Sequence, residues 1–185
     1  MKKLAYCTVV MTLISLAGGQ ALEAQQSGIG GLLDWINRLS GPRMVGPAAT
    51  GWVSLGEVPR LRMSVARRWS VHTEESPLPD DREITMWSFQ PTVDFKISGP
   101  LALGGGVAIH RFGGDFDDPV THFSFPVYAQ VRFPTGSEVQ GVVSLGGHYF
   151  PEFGATDFDP TPTGVSKDGG EFAFWFGIGF EVVRH

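Results

Sequence analysis

Four of the five histidines, His72, His110, His122 and His148, stand at the ends of runs in which apolar and polar residues alternate. Imidazole binds transition metals and moves protons near neutral pH, so these are the first candidates for chemistry. In the stretch THFS a base and a nucleophile, His122 and Ser124, lie two residues apart, and an extended chain projects both from one face. A hydrolytic pair also needs an orienting carboxylate within hydrogen-bond reach. The next one downstream, Glu138, follows a short turn at the opposite end of the run. A second group of candidates consists of charges set among apolar neighbours: Arg62, Asp94, Lys96, Arg132 and Glu181. Buried charges must find partners, which predicts an ion-pair network; a selectivity filter is the sharper alternative. The sequence carries no catalytic or cofactor signature.

The elements that position these residues have a period of two, the mark of strands with two unlike faces. In RLRMSVARRWSVH, Leu61, Met63, Val65, Trp69 and Val71 alternate with Arg62, Ser64, Ala66, Arg68, Ser70 and His72. ITMWSFQPTVDFKI sets Trp87, Phe89, Val93, Phe95 and Ile97 against Ser88, Gln90, Thr92, Asp94 and Lys96. LALGGGVAIH, THFSFPVYAQVRF and VQGVVSLGGHYF follow the same rule, and EFAFWFGIGFEV follows it most strongly. MVGPAATGWVSL alternates poorly but fits a first strand. Seven strands of roughly 10–14 residues result, and short turns alternate with long acidic loops as in an up-and-down meander. Earlier in the chain, Leu32, Trp35, Ile36 and Leu39 fall at i, i+3, i+4 and i+7, which predicts a short helix ended by Ser40-Gly41-Pro42.

The N-terminus, MKKLAYCTVVMTLISLAGGQALEAQQ, has two lysines, an apolar core too short to span a membrane as a helix, and a small-x-small site. It reads as a signal peptide over residues 1–21, cleaved after Ala21 or after Ala24. Cys7, the only cysteine, would leave with it, so no disulfide is expected in the exported chain. Residues 22–42 then form an N-terminal segment with the short helix, and 43–185 form one β domain. The formal charge of -5 becomes more negative once Lys2 and Lys3 are removed, which argues against nucleic acid as a partner.

An exported meander of this size can be a soluble barrel with an apolar inside or a membrane barrel with an apolar outside. The quieter face decides. It is mostly Gly, Ala, Ser, Gln and His, which suits a narrow interior, while the opposite face is too aromatic to fit inside eight strands. The expected fold is all-β: an up-and-down antiparallel transmembrane β-barrel of eight strands with a short N-terminal amphipathic helix. EFAFWFGIGFEV resembles the C-terminal strand of Gram-negative outer-membrane β-barrels, whose assembly signal is a glycine, an apolar residue and a terminal aromatic. Gly177, Phe180 and Val182 sit at that spacing; the departures are Val182 in place of the aromatic and the extension Val183-Arg184-His185. The resemblance implies an outer-membrane location, insertion by the assembly machinery, and contact with lipid and lipopolysaccharide. It also implies periplasmic termini and extracellular long loops. Single-chain barrels have even strand numbers, so an eighth strand must come from residues 29–42 or 151–170, although the periodicity of the former favours helix.

His122-x-Ser124 is similar to the His-x-Ser pair of outer-membrane lipid A deacylases, but both residues face the lumen by parity, away from lipid. The favoured function is therefore not enzymatic: a barrel with a largely filled polar lumen and a structural or surface-interaction role. A narrow channel for small or hydrophobic solutes is the alternative. Gly51-Trp52 is a weak echo of a lipocalin. Pairing Gln130 with Gln140 would set His122 opposite His148, and His110 opposite His122, giving a row that lines the mouth or holds zinc or copper. Arg67, on the apolar parity, is expected to be turned inward by a bulge at Arg67-Arg68 or to reach the headgroups.

Overall fold

The computed structural model describes residues 26–38, 43–56, 58–71, 83–114, 119–136, 138–151 and 170–184. The expected signal peptide, His72 and most of the acidic loops lie outside them. The strands are β1 (Ser27–Arg38), β2 (Arg43–Ser54), β3 (Pro59–Val71), β4 (Ile84–Ser98), β5 (Leu101–Gly106), β6 (Ala108–Gly114), β7 (Val120–Pro134), β8 (Val139–Phe150) and β9 (Glu171–Arg184). β5 and β6 are the two halves of one barrel strand interrupted at Val107, since both pair with β4 on one side and β7 on the other. β1 pairs with β2 and, in antiparallel register, with β9, so the sheet closes as eight strands. Closure leaves no row of backbone donors and acceptors without a partner, which hydrocarbon could not supply.

The stagger of the strands can be followed around the barrel. From Thr85 on β4 the row of partners runs through Trp69, Val45, Trp35, Phe176, Leu145, Ala129 and Leu103. It meets β4 again at Phe95, ten residues further along. Eight strands with such a stagger are steeply tilted and enclose an interior that side chains alone can fill.

The eighth strand is β1, and it corrects the helix expected from Leu32, Trp35, Ile36 and Leu39. Through Arg38 the chain is extended, with Leu32 and Ile36 buried inside and Leu33 and Trp35 exposed outside; Leu39 lies outside the described residues. The barrel accordingly starts at Ser27 rather than at residue 43. Both faces of this strand carry apolar residues, so a helical stripe arises by chance across them. Gly28, Gly30 and Gly31 disfavour a helix, and pairing with both β2 and β9 satisfies backbone groups that a detached helix would leave open on those strands.

Burial is inverted relative to a soluble protein. Phe125, Phe174 and Phe180 are exposed, with Phe180 at 62%, whereas Arg62, Asp94, His110 and Glu181 are buried. Such a surface is compatible with lipid and not with water. In detergent the protein is expected to migrate differently on a gel before and after boiling, because the closed ladder resists unfolding. A chain that stays soluble and monodisperse without detergent contradicts this assignment.

Candidate functional site: two polar layers in the lumen

The inward faces of the strands carry two hydrogen-bonded layers, one toward the short turns and one toward the long loops. In the first, Arg62 is the hub. Its Nε donates to Asp94 Oδ2 at 2.9 Å, its Nη1 to Glu181 Oε1 at 2.5 Å and Thr50 Oγ1 at 2.9 Å, and its Nη2 to Gln130 Oε1 at 2.9 Å. Arg132 Nη2 donates to Asp94 Oδ2 at 2.7 Å, and its Nε lies 3.7 Å from Glu181 Oε2. The remaining carboxylate lone pairs are taken by neutral donors. Tyr128 Oη donates to Asp94, and Trp52 Nε1 and Gln140 Nε2 each donate to Glu181 Oε2 at 3.0 Å. Arg60 covers the outer side of this layer, its guanidinium 4.2 Å from the Trp52 ring centroid.

Of the five charges singled out from the sequence, the fold brings together Arg62, Asp94, Arg132 and Glu181. Lys96 does not join them. The register of β4 against β5 shifts between Lys96 and Ser98, and Lys96 is exposed at the strand end beyond the rim of the lumen. Parity put it on the inward face, but a strand's last residues outrun the interior they would face.

The second layer starts from Asp34 and Arg68, 2% and 1% exposed. Arg68 Nε and Nη2 both donate to the Asp34 carboxylate, a two-pronged contact in which the second bond is 2.5 Å. The strand between them makes room. Asp34 pairs with Gly46 on β2, where a Cβ would overlap the backbone carbonyl of Arg67. Arg68 Nη1 donates to Ser88 Oγ at 2.6 Å, and Ser88 Oγ lies 2.8 Å from His110 Nδ1. His110 Nε2 lies 2.7 Å from Ser124 Oγ, which is 2.9 Å from His148 Nδ1. The direction of each bond along this chain depends on the histidine tautomers, because a serine hydroxyl donates one hydrogen bond and accepts up to two. His148 Nε2 has no hydrogen-bond partner among the described residues.

The histidine row expected from the sequence therefore forms only in part. His110 does pair with His122, but His148 pairs with Pro126 and Gln130 with Ser144. The register of Gln130 with Gln140 leaves only Thr135 to reverse the chain, fewer residues than the tightest common hairpin uses. The hairpin instead spans Thr135 to Val139, closed by the Thr135 and Gly136 amides donating to the Val139 carbonyl. His110 and His148 end with ring centroids 5.3 Å apart, bridged by Ser124, while His122 packs edge-on against Phe112 at 5.8 Å. Ser124 thus hydrogen bonds to these two histidines, not to its sequence neighbour His122. Among the described residues no three His, Cys, Asp or Glu side chains converge on a metal position.

Apolar side chains separate and cap the layers. Leu32, Ala48 and Ala66 are buried between them. Toward the long loops Ile36, Met44, Ile84, Met86, Phe112 and Phe150 gather around the histidines. On the outer face Arg67 pairs regularly with Trp87, so the inward bulge expected at Arg67-Arg68 is not formed. Its guanidinium lies 5.1 and 5.3 Å from the ring centroids of Trp69 and Trp87. A lipid-facing arginine costs about 2–4 kcal/mol at the bilayer midplane and close to zero at the interface; indole contact in the upper half of β3 lowers that cost.

No protein-family model matches the chain, and no curated protein is similar to it in sequence. Its fold is nevertheless that of the small eight-stranded Gram-negative outer-membrane β-barrels. Neisserial surface protein A (NspA) superposes with a TM-score of 0.54 at 13% identity, over 85% of this chain and 95% of that one. The outer membrane protein OprG from Pseudomonas aeruginosa gives 0.52 at 9% identity, over 88% and 97%. At these identities the likeness concerns the fold.

The Asp34–Arg68 pair gives a direct energetic expectation. Asp34→Ala strands a buried guanidinium and should cost about 3–5 kcal/mol in urea unfolding from vesicles, whereas Asp34→Ala combined with Arg68→Met should recover most of the loss. Equal losses in the single and double variants would show that the stranded guanidinium is not the source of the loss.

Proposed function

We propose that the protein is an outer-membrane barrel whose lumen is closed by its own side chains, with a structural or surface-interaction role and no enzymatic one. The observation that carries this reading is the pair of salt-bridged layers, each linking side chains from facing walls, with apolar residues between and above them. Arg62 alone is bonded to side chains on β2, β4, β7 and β9. An ion crossing the lumen would have to break contacts to both Asp94 and Glu181, leaving charges without partners in a low-dielectric interior.

Several sequence features support the location. The N-terminal 21 residues have the composition of a cleaved export signal, and β9 carries Gly177, Phe180 and Val182 at the spacing read by the assembly machinery. On this reading the termini are periplasmic. The long loops, with Glu74, Glu75, Asp80, Asp81, Asp115, Asp117 and Asp118 in their sequences, present an acidic surface outside the cell. A partner outside the cell would meet these acidic sequences, while the packed lumen braces the strands that carry them.

Planar-bilayer recording of the refolded protein tests the closed lumen. The expected trace shows no discrete steady conductance. Reproducible unitary steps that change with Arg62→Ala would replace this proposal with the narrow channel for small solutes.

A further inference from the structure

The polar layer nearest the short turns holds more positive than negative charge. Among the described residues it contains three guanidiniums, Arg60, Arg62 and Arg132, and two carboxylates, Asp94 and Glu181. At the rim beyond it Lys96 and Glu138 are both exposed. Each carboxylate already accepts three hydrogen bonds. Asp94 Oδ1 accepts from Tyr128, and its Oδ2 from Arg62 and Arg132. Glu181 Oε1 accepts from Arg62, and its Oε2 from Trp52 and Gln140. Arg62 is engaged with both acids, Thr50 and Gln130, so the surplus charge falls on the other two arginines.

Arg60 stands opposite Asp94 across β3 and β4, yet neither carboxylate accepts from it among the described residues. Its Nη1 is buried with no hydrogen-bond partner among them, and its guanidinium lies over the Trp52 ring. The indole face answers the charge but offers no lone pair to an in-plane donor. Arg132 is 9% exposed and bonded to Asp94 through Nη2. Its Nε, 3.7 Å from Glu181 Oε2, is beyond hydrogen-bond distance and likewise has no partner among the described residues. The strongest charge acting on Arg60 is the repulsion from Arg132. Two like charges thus sit beside Asp94, each with a buried donor unused. An open donor on a buried cation is costlier than a neutral one, and the acceptor that best answers it carries negative charge.

We propose that Arg60 and Arg132 form a binding site for one small monovalent anion, a halide or a carboxylate, at the short-turn mouth of the lumen. One negative charge balances the layer, whereas a doubly charged phosphate would reverse the excess. Arg60 is only partly buried, so an ion can arrive from the mouth. It can go no further, because Arg62 lies across the lumen bonded to Asp94 and Glu181. The anion acts as the third acid of the network, not as cargo in transit.

Iodide tests the site, because a heavy halide quenches the tryptophan it touches and Trp52 lies against the Arg60 guanidinium. The detergent-refolded protein is titrated with sodium iodide, with sodium fluoride holding the ionic strength constant. The wild type should lose fluorescence in a saturable phase above the linear collisional one, and Trp52→Phe should lack that phase. Arg60→Gln should weaken the saturable phase about tenfold or more, the value of one charge-assisted hydrogen bond. Since neither carboxylate is bonded to Arg60, this variant leaves the network and the heat shift on a gel intact. Arg132→Gln should act in the same direction. Chloride and acetate should both displace iodide, the stronger competitor identifying halide or carboxylate as the ligand class. Phosphate as the strongest competitor overturns the single-charge assignment. Purely linear quenching of a heat-shifted wild type overturns the site, as does a saturable phase that survives Arg60→Gln unchanged. Saturation that appears only in Glu57→Gln also overturns it, because the chain's own carboxylate then takes the place of the anion.

Discussion

A strand edge that faces hydrocarbon has no water to hydrogen bond its N–H and C=O groups, and every such group left open costs several kcal/mol. The pairing of β1 with β9 removes that edge, with partners running from Ser27↔Arg184 to Arg38↔Ala173. Much else follows from it. A sheet of eight strands that closes with a ten-residue stagger has a narrow interior, so whatever faces inward must pack against itself. Whatever faces outward must tolerate lipid, and the alternation along each strand becomes strict.

Polar residues on the inward face are then confined together and have to satisfy one another. Arg62, Arg132, Asp94 and Glu181 do so as a compact network in which Tyr128, Trp52, Gln130 and Gln140 occupy the remaining donor and acceptor positions. Such networks contribute little net stability compared with an apolar core, but breaking one partner is expensive. Their effect is to fix register, because a slip of one residue would turn Arg62 or Glu181 into lipid. The second layer works in the same way at the other end. Asp34 on β1 is joined to Arg68 on β3, Ser88 on β4, His110 on β6, Ser124 on β7 and His148 on β8, so one chain of contacts links the closing strand to most of the wall.

Much of this fold was legible in the sequence, because a membrane barrel writes its two faces as a period of two. Trp87/Phe89 against Ser88/Gln90 and Phe174/Phe176 against Ala173/Trp175 give both the strands and their facing. β1 was not legible. Its apolar residues lie on both faces, and the local spacing of Leu32 and Ile36 mimics a helix; only the need to close the sheet overrides that local pattern. The inward charges Arg62, Asp94, Arg132 and Glu181 could be found by parity alone. Their partners Trp52 and Tyr128 could not, since an aromatic on the quiet face carries no sign that its polar end is bonded. Asp34 was lost with the misread strand, and with it the role of Arg68. His148 was displaced from its expected neighbour because facing depends on parity whereas contact depends on register, and register was set by the five-residue turn after Pro134.

Ser144 offers the most direct measurement of a closed barrel with a packed interior. It is fully buried on β8, hydrogen bonded to Gln130, and lies between the two polar layers. In a chain with Cys7 replaced, Ser144→Cys in lipid vesicles would be exposed to a small water-soluble thiol reagent added from both sides. The structure predicts no labelling until the barrel is unfolded in urea. Labelling at the rate of an exposed thiol in the folded, heat-shifted protein would show a water-filled lumen and contradict the account.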